Sequence, residues 1–213
     1  MVTHREEDYL KALDLAETVL LSSDLKERCR SAGAEWEPSE AGGAIYLPYF
    51  NTTCRITIPH FEFSLQENAE NLNLSNQILV LHYLTGVKDS TFENKLISFK
   101  EIPSGEFYYQ AFARRSIEPL LKTFRDNHQA FKNIAEGLGG KPIELGDVGI
   151  KIFVFPRVPV TLMLWFADEE FPPDLQILFD AGITKILSTE DIAVLSQEVM
   201  IRMIKSYYSS LPR

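Results

Sequence analysis

The amino-acid sequence predicts an α+β fold, a single domain with a central mixed or antiparallel sheet flanked by N- and C-terminal helices. Three observations lead there. Apolar residues at helical spacing occupy both ends of the chain, and short β-branched and aromatic runs fill much of the middle. At 213 residues, 45% hydrophobic and 24% charged, the chain has the size and make-up of one ordinary globular domain. It is long enough to bury most of its apolar surface without covalent staples. We divide it into a helical segment over 1–33 and an α+β core over 44–213.

Residues 5–21 carry Leu10, Leu13, Ala16 and Leu20 on one helical face, with Glu7 four residues before Lys11. Asp24 and Glu27 form a capping pair for a second short helix that Gly33 ends. AIYLPYF and CRITIP then read as a hairpin turning at Asn51–Thr52, with Pro48 marking an edge or bulged strand. SNQILVLHYLTG reads as a buried helix capped by Ser75 and ended at Gly86, a buried strand being the alternative. LISF begins the next strand, and Pro103–Ser104–Gly105 makes a turn. Residues 112–126 and 128–138 are helical, with a kink or break near Glu118 because Pro119 follows it. Strands over 150–155 and 160–167 are joined by the stiff turn Pro156–Arg157–Val158–Pro159. Ser188 and Asp191 cap a final helix whose buried face is Ile192, Leu195, Val199 and Met203, and whose wet face includes Glu190, Glu198, Arg202 and Lys205.

Composition excludes several classes of function. A net charge of −9 repels phosphate backbones, so nucleic acid is not expected as a partner. No apolar run reaches the ~18 residues that span a bilayer, and the acidic start MVTHREEDYLKALDL does not read as a secretory signal. No membrane partner and a cytoplasmic location are expected. Cys29 and Cys54 suit a reduced compartment and show no metal-ligand spacing. Gly139–Gly140–Lys141–Pro142 lacks the first glycine and the hydroxyl of a phosphate loop.

Three stretches can carry chemistry. Asp168, Glu169 and Glu170, with Asp174 and Asp180 beyond them, follow the apolar strand TLMLWFA. Carboxylates there suit a divalent metal or acid–base catalysis. A solvated turn, with FPPD leading into a helix, is the more economical reading. Arg157, between two prolines, can clamp an anion, but pairing with the acids at 168–170 is the simpler expectation. In EFYYQAFARR, Tyr108, Tyr109, Arg114 and Arg115 can stack on and neutralise a planar anionic ligand. The competing reading turns Phe107 and Phe112 inward and lets the arginines pair with acids. His82, inside ILVLHYL, reads as a hydrogen-bonded core histidine rather than a ligand; His4 and His128 read as surface residues. No metal site and no nucleophile elbow are visible.

Taken together, LVLHYLTG at 79–86, ISFKEIPSGEFYYQAFARRSIEPL at 97–120, FPRVPVTLMLWFADEEFPPDLQILFD at 155–180 and TEDIAVL at 189–195 resemble the DUF3786 family of uncharacterised bacterial and archaeal proteins. The resemblance runs from about residue 45 onward. It implies a link to anaerobic corrinoid or iron–sulfur one-carbon metabolism, since some relatives carry a cysteine-rich module; this chain lacks those cysteines. Two functions follow. One is a small-ligand-binding or accessory module serving a small anionic ligand or a protein partner. The other is a small enzyme using Asp168, Glu169 or Glu170 with a divalent metal or as acid–base groups, assisted by Arg157 and His82.

Overall fold

The computed structural model describes residues 4–66, 71–88 and 92–211, the side chains of residues 4 and 5 excepted, so the surface position expected for His4 lies outside the described residues. Helix and strand are mixed, and the strands form two antiparallel sheets rather than one. The chain resolves into two compact, interleaved units. One comprises residues 1–91, 155–157 and 185–187; the other comprises 92–154, 158–184 and 188–213.

In the first unit, α1 (His4–Leu21) packs on α3 (Leu74–Gly86), and α2 (Leu25–Ala32) packs on both α3 and the sheet. The Asp24 side chain accepts from the Glu27 N–H, and Gly33 ends α2 in the left-handed conformation, as the capping residues require. The four strands β1 (Glu35–Ser39), β2 (Gly42–Tyr49), β3 (Thr52–Ile58) and β4 (Phe63–Leu65) lie in chain order. Alternate residues point inward, so Leu47, Cys54 and Leu65 stand side by side, as do Ile45, Ile56 and Phe63. The edge expected at Pro48 is corrected: β2 is an interior strand. Pro48 is tolerated because β1 stops opposite Tyr46, so that flank is open where the proline lies.

Helix α3 is the helix read for SNQILVLHYLTG, not the alternative strand. Its cap is Asn73 rather than Ser75, with the Asn73 side chain accepting from the Asn76 N–H. Gly86 is the last helical residue, and its role is close approach. A Cβ there would press on the Ile186 carbonyl, whose carbon would be only 3.2 Å away.

The second unit is built on a five-stranded sheet of β5 (Leu96–Ser98), β6 (Lys141–Ile143), β7 (Val148–Phe155), β8 (Val158–Trp165) and β9 (Asp174–Asp180), in the order β5-β9-β8-β7-β6. Strand β8 is central, and seven of its eight residues, VPVTLML, are buried, which is why it reads as a continuous apolar run. The helix expected after FPPD is a strand instead. Leu175, Ile177 and Phe179 alternate inward, and β9 gains backbone partners on both sides, from β8 and from β5. Helices α4 (Gly105–Phe112), α5 (Glu118–Phe124), α6 (His128–Gly137) and α7 (Thr189–Ser210) complete the unit. The break expected near Glu118 takes the form of a π-helical turn over Ala113–Ile117. This widened turn places Pro119 in the first turn of α5, where its missing N–H costs little. The capping box Ser188–Asp191 forms, and Ile192, Leu195, Val199 and Met203 are fully buried. Two residues of the expected wet face, Glu198 and Arg202, are instead largely covered and joined by a 2.6 Å ion pair.

Candidate functional site

The acids at 168–170 form a self-bonded turn. The Asp168 carboxylate accepts from the N–H groups of Phe171 at 2.7 Å and Glu170 at 2.8 Å, and the Asp168 N–H donates to the Phe171 carbonyl at 3.0 Å. Those two amides, Phe171 first, hold the Asp168 carboxyl below the usual carboxylate range. Glu169 and Glu170 face solvent. Asp180, at the far end of β9, is buried. It accepts from the N–H groups of Asn94 at 2.8 Å and of Glu93 and Gly182 at 2.9 Å each, which ties the start of the unit to its sheet. Among the described residues, no group of three or more His, Cys, Asp or Glu side chains converges as metal ligands would.

Arg157 belongs to the first unit with His82, whereas the other candidates belong to the second. The Arg157 N–H donates to the Tyr83 hydroxyl at 3.2 Å, and that hydroxyl donates to the Ala32 carbonyl at 2.7 Å. The Tyr83 ring stacks on Phe155 with centroids 4.3 Å apart. Burial pushes the Tyr83 phenol well up, so it stays a neutral donor. Among the described residues Arg157 makes no ion pair, contrary to expectation, and its Nε is buried without a hydrogen-bond partner. His82 is half-buried on α3.

The remaining candidates lie together on α4 and the π turn. Phe112 is buried and stacks on Phe99 with centroids 3.9 Å apart. Gly105 sits beneath the Phe99 carbonyl, where a Cβ would collide with the backbone. The opposite side of the segment is bare. Phe107, expected to turn inward, is 91% exposed, and Tyr108 is 61% exposed. Tyr109 is half-buried beneath the Lys100 ammonium, 4.3 Å from its ring centre. Arg114 and Arg115 are exposed. Among the described residues, Arg115 has no hydrogen bond or ion pair, and Arg114 has only a 3.4 Å bond to the Gln110 carbonyl.

A second feature escapes sequence reading. The His128 ring stacks on Phe166 at 3.7 Å, beside an open groove of about 540 Å³ that Lys132 and Val148 help to line. The two rings are far apart in the chain, and no local pattern joins them.

The model of a domain of unknown function, DUF3786, matches residues 24–202. The chain belongs to the DUF3786 family. No curated protein and no solved structure matches it. The DUF3786 match takes in the α4 face and the acidic turn but leaves out α1 and the last turns of α7. Among the described residues, no helix is long and apolar enough to cross a membrane.

Proposed function

We propose that this DUF3786 protein is a binding or accessory module that works through the α4 face and the following π turn. The observation that carries the reading is the exposure of Phe107, at 91%, and Tyr108, at 61%, beside Arg114 and Arg115. An aromatic side chain left in water forgoes about 1.5–3 kcal/mol of burial. Aromatics with arginine are also the residues enriched at recognition surfaces. The enzyme reading loses support at Asp168, whose Oδ1 accepts both amides of its own turn. The link to corrinoid or iron–sulfur chemistry has no cysteine cluster here to carry it: the chain's two cysteines, Cys29 and Cys54, are both buried and form no disulfide. On this reading, any such cofactor would belong to a partner.

Photo-cross-linking tests the proposal. Benzoylphenylalanine is placed at position 107 and, as a control, at exposed Glu40 in the β1–β2 turn. Irradiation in native extract is expected to give a discrete adduct from position 107 and none from position 40. Absence of an adduct at 107, with the protein folded, removes the reading.

A further inference from the structure

We infer that the partner met by this face is a protein that presents carboxylates about two helical turns away from an apolar pocket. The inference rests on the binding-module reading and assigns the partner's chemistry.

Shape supplies the first step. Small-molecule sites enclose roughly 70–90% of their ligand. Phe107, 91% exposed on a convex helix, has no walls around it that could do so. A macromolecule that brings its own pocket can.

Charge supplies the second step. Arg115 is unpaired among the described residues and Arg114 reaches only a backbone carbonyl, although Glu106 and Glu118 are exposed on the same segment. Covering Phe107 would draw the arginines from water, and a guanidinium so placed needs an anionic acceptor, best a bidentate carboxylate. A long polyanion is disfavoured by the net charge of −9. An acidic protein surface needs only two or three charges at this one place.

Spacing supplies the third step. Phe107 precedes Arg114 and Arg115 by about two turns, so the pocket and the carboxylates should be roughly 11 Å apart.

The test builds on the adduct at position 107. In an R114K/R115K variant, a carbodiimide joins a lysine amine to a contacting carboxylate as an amide, with loss of water, and mass spectrometry reads the linked peptides. The expected result is an amide from position 114 or 115 to an Asp or Glu of the protein captured at 107. R114E/R115E, checked for native unfolding, should lower the yield at 107 by about tenfold, as should raising salt from about 0.05 to 0.5 M. An adduct at 107 that is insensitive to charge reversal and salt, without carboxylate links, overturns the inference while leaving the binding-module reading intact. No adduct at 107 overturns both.

Discussion

The sharpest stability test compares one substitution at two helix ends. Gly86 ends α3 and Gly137 ends α6, and neither has the left-handed backbone that alone demands glycine. In Gly86→Ala, the new methyl lies closer to the Ile186 carbonyl oxygen than the 3.0 Å that real Cβ atoms respect. Two backbones meet there, so no side chain can rotate away. Overpacking of this kind costs about 1–3 kcal/mol, and a rigid neighbour places it near the upper end. Ala regains roughly 0.4–1 kcal/mol through the unfolded chain. The net is a loss of about 2 kcal/mol, or roughly 4–8 °C in a domain of this size. In Gly137→Ala nothing lies within 4 Å of the methyl. The same unfolded-state gain is then unopposed, and stability should rise by about 0.4–1 kcal/mol. The chain's two tryptophans make the assay local, since Trp36 lies in the unit of Gly86 and Trp165 in that of Gly137. Urea unfolding is followed by Trp36 fluorescence in a W165F background and by Trp165 fluorescence in a W36F background, each against its own parent. A Gly86→Ala protein as stable as its parent would refute the argument from close approach.

Three further outcomes are expected. Tyr83→Phe removes the hydroxyl that serves both Ala32 and Arg157, and should cost about 1–3 kcal/mol by urea titration, because two backbone groups lose their partner. The carboxyls of Asp168, held down by the Phe171 and Glu170 amides, and of Glu101, held down by the Ser98 amide and hydroxyl, are depressed on folding. Their stabilisation is therefore fully present above pH 4.5 and fades as pH falls through the folded values. Acid titration of D168N should show a smaller loss over that range than the parent. Burial pushes the Cys29 thiol up to about 11, so an aromatic disulfide reagent at pH 8 should leave it untouched in the native protein and react after denaturation.

The elements legible in the sequence are those in which a short-range rule and tertiary packing agree. Asp24–Glu27, Gly33 and Ser188–Asp191 all form the caps their spacing implies, because a cap is completed within four residues and needs no distant partner. Pro119 forces a break wherever the helix packs, and only the form of the break, a π turn, is a tertiary matter. What sequence reading misses depends on neighbours distant in the chain. β9 is a strand because β5 and β8 flank it, and the acids before it look like a helix start only while those neighbours are unknown. Pro48 signals an edge in isolation, yet it needs only a local gap where β1 stops. Glu198 reads as solvated from periodicity and is covered in the packed helix.

The same distinction separates the two candidate sites. A run of acids draws notice as composition, but Asp168 is spent on closing its own loop, and that use is invisible until the amides of Glu170 and Phe171 are seen turned towards it. The aromatic–arginine stretch draws less notice, because Phe107 and Phe112 differ by five residues and either can face the core. Phe112 takes the inward place through its stack on Phe99, and Gly105 lets the helix approach the Phe99 carbonyl closely. Once that face is fixed inward, Phe107 is committed to the opposite side. The exposed aromatic is thus a consequence of how α4 is seated, and replacing Phe107 should leave that seating unchanged. Phe107→Ser should therefore unfold with the parent's urea midpoint while losing the adduct that position 114 or 115 forms with an acidic partner. A lowered midpoint would mean that Phe107 supports the fold, and the α4 face would no longer stand out as a surface kept for binding.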